Sequence, residues 1–279
     1  MTLIVKKEDL NKQVFRVVLD APLIARKARA GQFVIVRVDD EGERIPLTIS
    51  DYDRENGTVS LVVQVAGATT HQFSCLKAGD HIADLVGPLG RPSELEGIKR
   101  AAVIGGGVGC AIAYPVARAL KEMGAEVDSI VGFRNEELVI LQDEFKACSD
   151  NVYVMTDDGS FGEKGLVTNK LKEQIEKGRE YDCVFAIGPL VMMKFVSLLT
   201  KEYGIPTVVS MNPIMIDGTG MCGGCRLTVG GKMKFACIDG PDFDGHQVDF
   251  DEMIMRSKTY AEDERHAYEK SCNLFKKEV

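Results

Sequence analysis

The chain has no surplus of positive charge. Lys and Arg total 34 against 42 Asp and Glu, a formal net charge of −8. A nucleic-acid partner is thereby excluded, because binding a phosphate backbone needs a basic surface. No apolar run approaches the roughly 20 residues that span a bilayer, so no membrane partner is expected. Residues Met1 to Lys12 mix charged and apolar side chains and lack the h-region of a secretory signal. Internal repeats and low-complexity segments are missing too. Histidine is scarce: His71, His81, His246 and His266 stand alone, read as surface or turn residues, and are given no catalytic role. The expectation is a cytoplasmic protein.

What is present is ordinary for a globular chain. Its 279 residues suggest about two domains with a small appendage. The 45% hydrophobic content is enough for a sizeable core. In a reducing compartment the eight cysteines read as thiols or metal ligands rather than as a disulfide framework. Cys75, Cys110, Cys148, Cys183 and Cys272 are scattered singly and read as small buried hydrophobes. Cys222, Cys225 and Cys237 form a cluster.

The first hundred residues are strand-like. Val14–Leu19, Phe33–Val38 and Val59–Val65 are alternating or β-branched runs, and Asp53–Gly57 is a turn between two strands. Leu85–Pro92 reads as a closing run of turn formers. Regular strands with few helices suggest a small antiparallel barrel. From about residue 98 strands alternate with helices. The strands are Ala101–Ile104, Val127–Gly132, Val152–Thr156, Cys183–Ile187 and Thr207–Met211. The helical stretches are Cys110–Met123, Glu136–Cys148, Gly165–Lys177 and Leu190–Tyr203. That order predicts a parallel sheet covered on both faces. After Asn212 the alternation stops. Residues 213–245 are glycine-rich with strand-like pieces at Arg226–Val229 and Lys232–Ala236, and the charged stretch Asp251–Val279 includes a helix.

Cys222-Gly223-Gly224-Cys225, with Cys237 twelve positions later, puts three thiols on a glycine-rich loop. Plant-type ferredoxins hold a 2Fe–2S cluster with C-x4-C-x2-C and a distant fourth cysteine. The same x4 gap before Cys222 lands on Asp217, giving Asp217-x4-Cys222-x2-Cys225-x11-Cys237. A carboxylate there is a harder, anionic ligand that favours the ferric state and tends to lower the potential. Asp239 and Cys272 compete for the fourth position, and spacing favours Asp217. Zinc held by three Cys and one Asp, and unligated thiols beside a turn, stay open as other readings.

Gly105-Gly106-Gly107-Val108-Gly109 lies between a strand and a helix, where glycines let backbone approach a pyrophosphate at the helix N-terminus. The spacing is not the strict G-x-G-x-x-G fingerprint, and Gly132-Phe133-Arg134 puts no carboxylate at the next strand's tip. Gly188-Pro189 follows another strand, at the sheet edge where ligands gather, although Pro at a helix start explains it equally. Asp157 and Asp158, in Thr156-Asp157-Asp158-Gly159, suit ribose hydroxyls and repel a 2′-phosphate, which favours NAD over NADP.

Taken in order, these segments resemble the ferredoxin–NADP reductase superfamily over essentially the whole chain. Within it the cysteine cluster is similar to that of the electron-transfer subunit of dihydroorotate dehydrogenase. It is more similar still to the small subunit of NADH-dependent reduced ferredoxin:NADP oxidoreductase, also called sulfide dehydrogenase beta subunit. The most specific matches are Thr156 to Gly162, Gly188-Pro189 and Asp217 in place of the first cluster cysteine; Ile187 stands where the superfamily more often has Cys. The flavin motif matches in part, in Arg44-Ile45-Pro46-Leu47-Thr48: with Thr48 at the Ser position, Ile45 holds the Arg position and Arg44 lies one residue early. The next flavin segment maps to Val62-Val63-Gln64 and the phosphate turn to Gly67-Ala68-Thr69-Thr70, positions that a barrel strand and a helix cap would also explain.

The resemblance implies a β-barrel FAD domain (1–97), an α/β parallel-sheet NAD-binding domain (98–212), and a C-terminal iron–sulfur subdomain with a helix (213–279). It implies FAD at Arg44, Pro46, Leu47, Thr48, Val62, Val63, Gln64, Gly67, Thr69 and Thr70. NAD(H) would lie at Gly106, Gly107, Val108, Gly109, Asp157, Asp158, Gly188 and Pro189. Asp217, Cys222, Cys225 and Cys237 would hold the 2Fe–2S cluster. Hydride would pass from NADH to flavin, and electrons singly to the cluster, with no residue acting as general base. The partner implied is a larger iron–sulfur flavoprotein subunit docked around residues 217–245, with ferredoxin reached through the complex. The alternatives are an electron-transfer subunit of NAD-dependent dihydroorotate dehydrogenase, expected to have Cys at position 217, and a zinc-stabilised nucleotide-binding regulatory module.

Overall fold

Seven antiparallel strands make the first layer: Thr2–Asp9 (β1), Val14–Asp20 (β2), Phe33–Arg37 (β3), Arg44–Asp53 (β4), Thr58–Gln64 (β5), His81–Ile82 (β6) and Asp84–Leu89 (β7). The computed structural model describes residues 1–275, with side chains through residue 269. The strands run in the order β6-β1-β2-β5-β4-β3-β7. Because β6 and β7 are separated by one residue, the two ends of that order meet and the sheet nearly closes into a barrel. Alternation in β2 and β5 points Phe15, Val17, Leu19, Val59, Leu61 and Val63 into its core. Each large side chain so buried stabilises by about 1.5–3 kcal/mol. Pro22–Ala25 (α1) follows β2, and Ala68–Cys75 (α2) follows β5, with Phe73 filling the barrel against Phe15.

Leu85–Pro92 is therefore not only turn. Asp84–Leu89 is a strand pairing with β3. Pro88 is tolerated because β7 lies at the end of the strand order, where a missing N–H breaks no ladder.

The second layer is a parallel sheet of Arg100–Gly106 (β8), Glu126–Phe133 (β9), Asn151–Thr156 (β10), Cys183–Ile187 (β12) and Thr207–Ser210 (β13), extended by the two-residue Glu163–Lys164 (β11). Its order is β11-β10-β9-β8-β12-β13 with one further strand at the end. Cys110–Glu122 (α3) and Gln142–Cys148 (α4) pack on one face through Ala113, Val116, Leu120 and Phe145. Val167–Glu176 (α5) and Leu190–Glu202 (α6) cover the other through Leu171, Met193 and Val196. The helix expected over Glu136–Cys148 is instead a short 3-10 turn, Glu136–Leu138, and the shorter α4. Leu141, with φ 58°, breaks the helical path between them.

The last segment does more than follow the sheet. Arg226–Val229 (β14) and Lys232–Phe235 (β15) form a hairpin over Gly230-Gly231, both at positive φ as a two-residue turn of this kind requires. Ala236–Asp239 (α7) carries Cys237, and Asp242–Asp244 (β16) then adds an antiparallel strand to β13. Phe250–Arg256 (α8), capped by Asp249, packs on α6. Ala261–Phe275 (α9) returns to α2 of the barrel, where Tyr268 meets His71 edge-on. Among the described residues no helix is long and apolar enough to cross a membrane.

Candidate nucleotide, flavin and iron–sulfur sites

The sheet's order reverses between β8 and β12, since α3 after β8 and α6 after β12 go to opposite faces. Ligands bind such open sheets in the crevice at that switch point. Both glycine segments lie there, and they pack backbone to backbone. A Cβ on Gly109 would come 2.6 Å from the Ile187 carbonyl oxygen and 2.7 Å from Gly188 Cα, and one on Gly106 would meet Met192 Sδ at 2.5 Å and Pro189 at 3.0 Å. Gly107, at φ +56°, has nothing within 4 Å of its Cβ position and so leaves the crevice open. Val108 packs in the same apolar cluster as Val62 of β5, which sets the nucleotide turn against the flavin strand.

Asp157 and Asp158 follow β10 at the same edge of the sheet and are exposed. They are not equivalent. Asp158 accepts from the Ser160 amide at 2.9 Å and hydroxyl at 2.7 Å, and these bonds hold its carboxyl below the usual range. Asp157 makes no side-chain hydrogen bond among the described residues, so its carboxylate is uncommitted.

The flavin segments come together along one side of the barrel. β4 carries Arg44, Pro46, Leu47 and Thr48, with Thr48 opposite Phe33 of β3. β5 beside it carries Val62, Val63 and Gln64 and leads into Gly67. Thr70 Oγ1 accepts the amides of Ala66 and Gly67 and donates to the Gly67 carbonyl, which fixes the start of α2. Thr69 Oγ1 donates to Glu43 at 3.1 Å, tying that turn to the start of β4. Two of these side chains have other neighbours. Val63 is buried in the barrel, so only its backbone is offered to a cofactor. Arg44 is drawn elsewhere: its Nε donates to the carbonyl of Ile216, next to Asp217, at 3.2 Å.

The cysteine loop is built on the barrel's outer face. A Cβ on Gly218 would lie 2.8 Å from Leu89 and 2.9 Å from Ile35, so the loop passes directly over β3 and β7. Its four candidate ligands fall into two pairs. Cys225 and Cys237 are buried with their sulfurs 3.2 Å apart. Burial first, then the neighbouring Cys225 sulfur, pushes the Cys237 thiol up to about 12. Cys222 is exposed, and its Sγ lies 3.5 Å from Asp217 Oδ1. Desolvation works against an ionised Asp217, but the amides of Thr219, Cys222 and Met221 outweigh it and hold the carboxyl below its usual range.

The other candidates for a fourth ligand are placed differently. Asp239 is taken by the Phe235 amide at 2.8 Å and by Lys234 at 3.8 Å, and the Cys272 side chain lies outside the described residues. Cys110, Cys148 and Cys183 are buried with thiols raised by burial, Cys183 to about 12. Cys75 departs from that expectation: it is exposed on α2. His246 is bound to Thr200 Oγ1 at 3.0 Å.

Comparison with known proteins gives three family matches in the same order. An oxidoreductase FAD-binding domain matches residues 2–93, an oxidoreductase NAD-binding domain 103–198, and the iron–sulfur cluster binding domain of dihydroorotate dehydrogenase B 212–249. A dihydroorotate dehydrogenase B (NAD(+)) electron transfer subunit homolog of Thermotoga maritima is 49% identical over 96% of this chain and 94% of its own. The dihydroorotate dehydrogenase B (NAD(+)) electron transfer subunit of Enterococcus faecalis is 33% identical over 89% and 97%. Among solved structures, a chain from the NADH-dependent reduced ferredoxin-NADP oxidoreductase, studied for flavin-based electron bifurcation, superposes with a TM-score of 0.91 at 47% identity, covering 97% of each chain. The chain is an oxidoreductase electron-transfer subunit with FAD-, NAD- and iron–sulfur-binding domains, and it belongs to the family of dihydroorotate dehydrogenase B electron-transfer subunits and their homologues, within the ferredoxin–NADP reductase superfamily.

Proposed function

We propose that this chain is the NAD(H)-reacting small subunit of a two-subunit, flavin-based NADH-dependent ferredoxin:NADP oxidoreductase. The observation that carries the reading is the division of the donors at residues 217–237 into an Asp217–Cys222 pair and a Cys225–Cys237 pair. A binuclear 2Fe–2S cluster needs two ligands on each iron, and two pairs suit it. A single zinc needs three or four donors about one point, whereas these four fall into two pairs. Asp217 also separates this reading from the dihydroorotate one, for which a fourth cysteine is expected.

When bound, FAD and the cluster supply hydride acceptance from NADH and one-electron transfer. The chain's own residues position them. The Gly106–Gly109 turn and the start of α3 would offer amides to the NAD(H) pyrophosphate, Gly188-Pro189 would line the other wall, and Asp157 would meet the adenosine ribose. Thr48 presents a hydroxyl on β4, and Thr70 holds the turn that would receive the FAD phosphates. No side chain is needed as an acid or base. The domain limits 1–97, 98–212 and 213–279 belong to the same proposal.

A larger iron–sulfur flavoprotein subunit would dock over the cysteine loop, where Ile216, Met221 and Ile238 are exposed beside Cys222, and ferredoxin would be reached through that subunit. The seven described cysteines form no disulfide, which suits the cytoplasm. Dihydroorotate dehydrogenase is the second reading, favoured by the family match at residues 212–249.

The test is the visible and EPR spectrum of the anaerobically purified protein, followed by Asp217→Ala. Flavin and 2Fe–2S signals in the parent, with the cluster signal lost in the variant, are expected. A parent without either chromophore overturns the reading. Reduction of the reconstituted complex by dihydroorotate, but not by NADPH, would move the chain to the dihydroorotate family.

A further inference from the structure

Each segment that carries a candidate cluster ligand has an arginine on a neighbouring backbone carbonyl. Arg44 Nε donates to Ile216, the residue before Asp217, at 3.2 Å. Arg226 Nη1 donates to Gly223 at 3.3 Å and Arg256 Nη2 to Gly224 at 3.2 Å, the two residues between Cys222 and Cys225. Arg91 Nε donates to Ile238, the residue after Cys237, at 3.0 Å. The four come from four separate places: β4 of the barrel, the end of the barrel segment, the β14 hairpin and α8.

Among the described residues none of the four forms an ion pair with a carboxylate within 4.0 Å, whereas nearby Lys234 is partnered by Asp239. Two carboxylates near the loop are engaged by backbone amides, Asp239 by Phe235 and Glu252 by Thr228. Four guanidinium groups without a close carboxylate partner thus sit on the backbone beside a donor set of three thiols and one carboxylate. Reduction adds one negative charge to whatever those donors hold, and fixed positive charge favours the state with more negative charge. Net charge and surrounding hydrogen bonds are among the factors that set iron–sulfur potentials.

We propose that Arg44, Arg91, Arg226 and Arg256 form a cationic collar that positions the cluster-binding loop and raises the reduction potential of the cluster, opposing the lowering effect of the Asp217 carboxylate. The inference rests on the 2Fe–2S reading. Arg44 also ties β4 of the barrel to the loop.

The experiment is an EPR-monitored redox titration of the full chain, purified anaerobically, for the parent and for Arg44→Gln, Arg256→Gln and the matching Lys variants. Glutamine keeps a donor for the carbonyl but removes the charge; lysine keeps the charge. Each Gln variant is expected to lower the reduced-to-oxidised ratio at a given potential about tenfold, a midpoint about 59 mV more negative for a one-electron couple. The Lys variants should stay near the parent. Unchanged midpoints in the Gln variants overturn the proposal, as do Lys variants shifted as far as the Gln ones. A parent with no cluster signal instead overturns the 2Fe–2S reading, before any variant is made.

Discussion

Asp217 Oδ2 accepts the amide of Cys222 at 2.8 Å, so the carboxylate and the thiol proposed to share one iron are locked to each other through the backbone. Bonds from Thr219 and Met221 complete that lock without any metal. Charge-assisted hydrogen bonds are each worth about 1.5–3 kcal/mol. In protein stripped of iron, Asp217→Ala should therefore speed amide exchange at Met221 and Cys222 about tenfold, a loss of about 1.4 kcal/mol. Equal exchange rates in parent and variant would show that the loop is held by other contacts.

The nucleotide turn is sensitive to a single methyl group. Gly109 has no room for a Cβ against Ile187 and Gly188, and overpacking of this kind costs about 1–3 kcal/mol. Gly109→Ala should weaken NADH binding about tenfold, measured by calorimetry, while leaving FAD content at the parent level. Loss of FAD in step with NADH would instead indicate general unfolding.

Cofactor choice should turn on Asp157 rather than Asp158. Asp157→Asn removes a negative charge that would face a 2′-phosphate, and should raise the ratio of NADPH to NADH turnover about tenfold, since like charges brought together cost several kcal/mol. Asp158→Ala loses the Ser160 turn and should lower use of both nucleotides together. The ratio of the two kcat/KM values distinguishes these outcomes.

Acid stability should depend on Asp128. Its side chain is fully buried, accepting from Arg179 Nε and Nη2 at 2.9 and 2.7 Å, Tyr181 at 2.8 Å and Asn151 at 2.8 Å. Desolvation opposes ionisation, but these bonds outweigh it, and the carboxyl lies below its usual range. A lowered folded pKa means that the unfolded chain binds more protons, so stability rises with pH. The contribution is present above the unfolded carboxyl value of about 3.9 and is lost as pH falls through the lower folded value. Asp128→Asn should cost about 3 kcal/mol at neutral pH, read from urea melts, and should flatten the decline of stability below about pH 4.

Local sequence settled the parts of this protein that depend on short-range rules. Alternation in Val14–Leu19 and Val59–Val65 predicts barrel strands, apolar runs separated by helical patterns predict the parallel sheet, and C-x2-C with Asp217 four residues clear predicts a ligand set. Each follows from backbone geometry over a few residues, and the barrel strands and the parallel sheet are present. What the chain brings together over long separations was decided only by the fold. β16 joins a sheet whose neighbouring strand ends more than thirty residues earlier, and Pro88 becomes acceptable in β7 only because that strand lies at the end of the sheet. Arg44 reaches Ile216 across 172 positions, and Arg256 reaches Gly224 across 32. No local pattern marks such partners, because a guanidinium selects a carbonyl by position and direction in space. The donors near Cys222 could be read from spacing; their division into two pairs, and the positive charge around them, needed the packed loop.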